Sequence, residues 1–374
     1  MNIFEIISVA DKELTHSSLI KFLITQNNKI ATDYFSIDNT SIEVKLEASE
    51  TVVLKESNNL VRKKLRFDIV ITSNNHNNPN DSPLMLIENK YKATPTVRQL
   101  DLYDRYVKEH IKTPLPKKVL MVFLQEQIPS DVNTYCIEND WEVKSYFSLS
   151  DKESSSLTGY LSNTILTFDG SADKLKNDFL LDEYKEYLNN TQNVLKKFLL
   201  RPDILTKDDF KIYREYKRNR DLWFKYLLYI QSLISIKVKG KETNSKFIFK
   251  SGNDGGGNLI PSVNFWFKET YYWGIDGDSM KIGFSYNHND NIEAKKEKIL
   301  FKLKNSMLFD SLVNKYGKLY NPAKKDKGGE SVMSIASFNL GKWKNETKEE
   351  FVNDSSEIFI EYYKIINSLF ETEA

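Results

Sequence analysis

Asp68 is the only acidic residue in an otherwise mainly apolar stretch, residues 65–72 (LRFDIVIT). Side chains alternate along a strand, so Arg66, Asp68 and Val70 share one face and Phe67, Ile69 and Ile71 the other. Further on, residues 84–87 (LMLI) lead into Glu88-Asn89-Lys90. The same period sets Glu88 and Lys90 on one face, about 7 Å apart. If the two strands pair, Asp68 approaches Glu88. Two converging carboxylates, helped by a backbone carbonyl, suit a hard divalent cation such as Mg²⁺, which keeps several of its waters. A lysine beside them can orient or deprotonate an attacking water, or steady charge on a phosphate. Together these groups fit metal-assisted phosphodiester hydrolysis.

The Glu-x-Lys spacing alone carries little weight. It recurs at Glu43/Lys45, Glu142/Lys144, Glu183/Lys185, Glu215/Lys217, Glu293/Lys295 and Glu346/Lys348, and in a chain that is 28% charged such pairs are usually solvated faces. Position sets Glu88/Lys90 apart. The pair ends an apolar strand, and the strand before it carries an aspartate. Charge on such strands costs free energy unless it is paired or bound to metal. Gln99 and Tyr103 lie four apart on a helix predicted over 95–110, hence on one face, a placement equally at home on an ordinary helix surface. Glu47 ends an earlier strand, and Glu13 and His16 lie on the first predicted helix. His16 reads as a structural, hydrogen-bonding histidine. The other histidines are scattered and no paired zinc spacing exists.

These residues need a frame. Residues 11–25 read as a helix and 42–47 (IEVKLE) as a strand that 51–54 continues. Residues 65–72, 84–90 and 118–124 read as buried strands, 73–82 as a loop, and 141–147 as one more strand. A leading helix, three strands, a helix and a strand predict a mixed α/β core. Beyond it, 172–200 and 207–236 read as helices, 247–288 as strands and turns, and 292–316 and 346–370 as helices. Gly255-Gly256-Gly257 lacks a following Gly-Lys-Ser/Thr and reads as a hairpin turn, not a phosphate loop. The Ser- and acid-rich residues 148–156 predict a boundary. One domain then covers 1–150, and a helical plus β-hairpin region, serving substrate or partner recognition, covers 172–374.

The chain has 374 residues, 53 basic and 52 acidic, for a net charge of +1. That balance excludes a polybasic or acidic-tail protein, but it is a cancellation of blocks. Residues 1–50, 51–130, 131–194, 195–250 and 251–374 carry −4, +5, −7, +9 and −2. Within the +9 block, Lys211, Arg214, Arg218 and Lys225 share one predicted helix face, with Phe210, Tyr213, Phe224 and Leu227 on others. A basic face beside aromatics is what nucleic-acid backbone binding requires, although a solvated amphipathic helix has the same pattern. The run Phe265-Trp266-Phe267 to Tyr271-Tyr272-Trp273 could stack bases, but at strand spacing it reads as core. Cys136 is the only cysteine, which excludes an intramolecular disulfide and a cysteine zinc cluster and fits a reducing cytoplasm. No signal-peptide pattern opens the sequence, and no apolar run approaches the roughly 20 residues that span a bilayer. The expectation is a cytoplasmic protein without a membrane partner.

Taken in order, Glu13-Leu14-Thr15-His16-Ser17, Arg66-Phe67-Asp68-Ile69, Ile87-Glu88-Asn89-Lys90 and Gln99-Leu100-Asp101-Leu102-Tyr103 resemble the PD-(D/E)XK nuclease superfamily, in particular a bacterial branch with these four motifs. The resemblance covers about residues 1–125. It implies an α/β, restriction-endonuclease-like mixed sheet flanked by helices, and a Mg²⁺-dependent nuclease for which Mn²⁺ can substitute. It implies Asp68 and Glu88 as metal ligands, Glu47 as a further ligand, and Lys90 as the catalytic lysine. Gln99 and Tyr103 would support the site, and Glu13 matches the first-helix glutamate. It further implies a nucleic-acid substrate, DNA ahead of RNA, and a role in anti-phage defence. A homo-oligomer or a partner subunit stays open. Two departures leave the ligands untouched. Residues 25–28 (TQNN) stand where the family has His-Gly, and Val97-Arg98 where an acid commonly precedes Gln-Leu. Fold does not fix function, so two alternatives stand beside this one: a non-catalytic nucleic-acid-binding or assembly protein, and an effector active only with a partner subunit.

Overall fold

Strands that are apolar on both faces need a layer on each side. Residues 65–72, 84–90 and 118–124 have that character, and in the computed structural model they form the centre of a sheet covered on both faces. The structure describes residues 3–6, 12–27, 29–38, 41–56, 59–73, 83–91, 94–111, 114–149, 155–166, 174–205, 209, 218–239, 248–253, 261–268, 270–276, 279–286, 292–319, 331–343 and 345–371. They fall into two compact units, Met1–Lys197 and Phe198–Ala374.

Unit 1 contains α1 (Ile3–Ile6), α2 (Glu13–Gln26), β1 (Ile42–Glu56), β2 (Asn59–Ser73), β3 (Pro83–Lys90), α3 (Val97–His110), β4 (Lys117–Leu124), α4 (Ser130–Glu138), β5 (Trp141–Phe147), α5 (Leu157–Asn163) and α6 (Lys174–Leu199). The strands form a sheet in the order β1-β2-β3-β4-β5. The first three run antiparallel, while β3, β4 and β5 are parallel. Parallel neighbours need a crossover; α3 supplies it between β3 and β4, and α4 between β4 and β5. Leu100, Tyr103 and Val107 of α3, with Val132 and Cys136 of α4, pack on Leu86, Leu120 and Val122 of the sheet. The other face carries α2, which buries Leu19, Ile20, Leu23 and Ile24. The mixed α/β architecture expected from the sequence is the one observed.

Two elements exceed their sequence patterns. Strands β1 and β2 each run 15 residues, well past the apolar alternation at 42–47 and 65–72. The added length is a hairpin whose hydrogen bonds satisfy its own backbone, so it needs no apolar face. Helix α6 belongs largely to unit 1, although residues from 172 onward read as part of the second region. Tyr184 and Tyr187 pack against Phe4 and His16, and Gln192 exchanges hydrogen bonds with the backbone of Ser148.

Unit 2 contains α7 (Arg218–Lys239), β6 (Ile248–Asn253), β7 (Pro261–Phe267), β8 (Tyr271–Asp276), β9 (Ser279–Tyr286), α8 (Ile292–Lys304), α9 (Met307–Tyr316), β10 (Gly317–Leu319), β11 (Ser331–Asn339) and α10 (Lys348–Glu371). Its sheet is antiparallel, in the order β10-β11-β9-β8-β7-β6. Phe265, Phe267 and Trp273 are buried against Phe359 of α10, so most of the aromatic run is core. Strand β11 is invisible in the sequence pattern because Ser334, Ala336 and Ser337 dilute its alternation. Among the described residues, no helix is long and apolar enough to cross a membrane.

Candidate active site

Register brings the acids together. Strand β2 pairs with β3 through Ile69↔Ile87 and Val70↔Leu86, which sets Asp68 level with Glu88. On its other side, Leu46↔Ile69 and Ala48↔Phe67 set Glu47 level with Asp68. Residues opposite each other in an antiparallel pair have Cβ atoms about 5 Å apart. Three carboxyl-bearing positions thus stand in a row across three strands. Glu47 has φ 48°, a left-handed backbone that is uncommon outside glycine. Its carboxylate accepts from Arg66 at 2.5 Å and is 39% exposed.

Glu88 is the most enclosed of the three, with a side chain 0% exposed. Its Oε1 pairs with the Lys90 ammonium and accepts from Gln99 Nε2 at 2.5 Å. Its Oε2 lies 2.7 Å from the Tyr103 hydroxyl, which is also 2.6 Å from the Arg66 carbonyl oxygen. The phenol has one proton for these two acceptors. It is the donor in both contacts and shares that proton between the Glu88 carboxylate and the Arg66 carbonyl. Burial pushes the Glu88 carboxyl up to about 7, with Lys90 pulling it down and Asp68 raising it. Burial likewise raises Asp68, although the Asn89 backbone N–H and Lys90 lower it. Burial works to lower Lys90, but Glu88, Asp68 and Glu13 raise it further, so the amine stays an ammonium. The glutamine and tyrosine of α3 therefore meet Glu88 directly, and Glu13 acts on Asp68 and Lys90 through its charge.

Asn89, between the two charged residues, points to the opposite face of the sheet. Its amide donates to Ser17 Oγ at 2.8 Å and the Glu13 carbonyl at 3.3 Å, and its Oδ1 accepts from Tyr146 at 2.9 Å. Its backbone N–H donates to Asp68 Oδ2 at 2.8 Å. One residue ties α2, β2 and β5 to the strand carrying Glu88 and Lys90. Its residue type and spacing alone do not mark it as part of the site. The available signal was that alternation turns it toward the helix holding Ser17. Next to it, His16 is buried, stacks on Tyr91 at 3.4 Å and meets the Tyr184 hydroxyl at 3.1 Å, a packing role.

The residues fit a divalent cation in their chemistry. The donors are hard oxygens, Asp68 Oδ1 is left over by the bond to Asn89, and Glu88 Oε2 keeps a second lone pair. Among the described residues, no group of three or more His, Cys, Asp or Glu side chains converges as a ready-made cage. One or two carboxylates plus waters are the usual holding of Mg²⁺.

The basic helix face is different. Lys211 and Arg214 lie outside the described residues, and of Arg218 only the backbone, at the start of α7, is described. Lys225 is 6% exposed, because α7 is packed on both α10 and β7. It does not stand on a solvent face, which corrects its assignment to nucleic-acid binding.

No curated protein and no solved structure matches the chain. The family model of the PD-(D/E)XK nuclease superfamily matches residues 1–186, a span that holds every carboxylate, the lysine, the glutamine and the tyrosine just described. With its mixed sheet and the Asp68 and Glu88-x-Lys90 strands at its centre, this N-terminal half of the chain belongs to the PD-(D/E)XK nuclease superfamily.

Proposed function

We propose that the chain is a divalent-metal-dependent nuclease that hydrolyses nucleic-acid phosphodiester bonds at Asp68, Glu88 and Lys90. The observation that carries this reading is that Asp68 and Glu88 both flank the Ile69↔Ile87 pair, Asp68 Oδ2 accepting from the Asn89 backbone N–H, with the Lys90 ammonium held on the buried Glu88 carboxylate. Asp68 and Glu88 would hold Mg²⁺, or Mn²⁺ in its place, and Glu47 would join them on leaving Arg66. The ion supplies Lewis-acid polarisation of the phosphate and a more acidic water. In hydrolysis a water oxygen bonds to phosphorus as the bond to the leaving sugar oxygen breaks. Lys90, held protonated, is suited to steadying the added negative charge rather than to removing a proton. Gln99 and Tyr103 orient Glu88, and Glu13 adds negative charge beside Lys90. The family resemblance supports DNA as the substrate and a place in anti-phage defence, and the composition supports a cytoplasmic setting. The Phe198–Ala374 unit would recognise substrate or partner.

The test uses Asp68→Ala, Glu88→Ala and Lys90→Ala on plasmid and single-stranded DNA with Mg²⁺ or Mn²⁺. Each variant is expected to lose at least about 100-fold in cleavage rate, and chelator should abolish the wild-type activity. Activity that survives all three substitutions, or that ignores chelator, would sink the reading. Binding without cleavage by the wild type would assign the chain to the non-catalytic alternative.

A further inference from the structure

Strand β2 pairs with β3 only over Ile69–Thr72, whereas it pairs with β1 back to Asn59. Its first part therefore runs beyond the sheet as one arm of a hairpin, about 30 Å of strand leading to Asp68. Along this arm burial alternates: Leu65 and Phe67 are buried, while Arg62, Lys64 and Arg66 are exposed. The exposed row ends in Asp68. Alternate residues of a strand are about 7 Å apart, of the order of the step between successive phosphates on one nucleic-acid strand. The residues level with the row on β1 are Val53, Thr51 and Ser49, none charged, before Glu47 is reached. Arg66 is already engaged at the site, bonded to Glu47 and lowering the proton affinity of Asp68. Among the described residues, Arg62 and Lys64 make no ion pair or side-chain hydrogen bond.

We infer that the exposed face of the β1–β2 hairpin, through Arg62, Lys64 and Arg66, is a phosphate track that leads one nucleic-acid backbone to the carboxylates. The inference rests on the nuclease reading for its destination but not for its binding chemistry. Single-file cations at this spacing neutralise successive phosphates, and each neutralised phosphate releases condensed counterions. A track of this kind contacts sugar and phosphate only, so it positions the strand without selecting a sequence.

The experiment measures binding of a fluorescent single-stranded oligonucleotide and of its duplex by anisotropy over a salt series. Asp68→Ala is the background, so that cleavage does not interfere. Adding Arg62→Gln and Lys64→Gln should weaken binding on the order of 10-fold at low salt and reduce the slope of log K against log salt by about 1.4 on the single strand. Circular dichroism confirms that the exposed substitutions leave the fold intact. An unchanged slope and affinity on both substrates overturns the track, whatever the cleavage data show. Binding to anionic vesicles but to neither oligonucleotide overturns it as well. If the wild type binds with the predicted slope loss in the variant but never cuts, the track stands and the nuclease reading falls.

Discussion

Burial pushes the Glu88 carboxyl up to about 7 and raises Asp68 in the same direction, because each carboxylate loses water that its partners only partly replace. An acid with a raised folded-state pKa stabilises the folded state below its unfolded value, about 4.3 for glutamate, and that stability is lost as pH rises through the folded value. Lys90 is raised as well, burial lowering it but Glu88 and Asp68 outweighing that. Its contribution is lost only as pH rises through the alkaline lysine range and stays constant near neutrality. In chelator, the urea midpoint should therefore fall between pH 5 and pH 8, and Glu88→Gln should flatten that fall. A variant with the wild-type slope would show that Glu88 is ionised throughout. The same balance explains why Asp68, Glu88 and Lys90 were legible in the sequence: charge on apolar strands has few structural reasons to persist. Asn89 was not legible, because its meaning depends on Ser17 and Tyr146, which come to it from distant parts of the chain.

Helix α3 must hold Gln99 and Tyr103 against Glu88, and it is anchored one residue beyond Tyr103. Asp104 is buried and accepts from Lys118 at 2.5 Å, from Tyr135 at 2.7 Å and from Trp141 Nε1 at 3.0 Å. Lys118 is also bonded to the Asn139 carbonyl. These bonds tie α3 to β4, α4 and β5 at once. Removing one partner of a buried pair leaves an uncompensated charge, at a cost of about 3–5 kcal/mol. Asp104→Ala should lower the unfolding free energy by that amount in denaturant titration, and a loss under about 1 kcal/mol would mean that Lys118 finds water instead. The sequence disclosed that α3 exists, and Gln99 with Tyr103 that one face matters. It did not disclose the clamp, since a single Asp on a helix with charged neighbours looks like surface. The hairpin arm of β2 was hidden for the opposite reason. Arg62-Lys63-Lys64 breaks the apolar alternation that marks a strand, yet the arm forms because its ladder to β1 supplies the backbone bonds.

The net charge of +1 conceals segments of opposite sign. The +5 segment contains both the carboxylates and the exposed cations of the hairpin, while the +9 block buries Lys225. Composition thus located positive charge correctly by segment without showing which cations face water. The division into units has a sharper consequence. A boundary near 150–172 separates α6 from Phe4, His16, Tyr91 and Ser148, on which it packs, whereas the compact unit runs to Lys197. Helix α6 buries Leu181, Tyr184, Tyr187, Leu188 and Leu195. At about 2 kcal/mol for each such side chain, their removal costs about 10 kcal/mol, comparable to the whole stability of an ordinary domain. It also removes the Tyr184 hydroxyl from His16 and the Tyr187 hydroxyl from Tyr91, the residue that follows Lys90. A fragment of residues 1–199 should therefore give a cooperative thermal transition by circular dichroism, and a fragment of residues 1–171 should not. If the shorter fragment melts cooperatively at the same temperature, α6 is an appendage and the nuclease fold is complete without it.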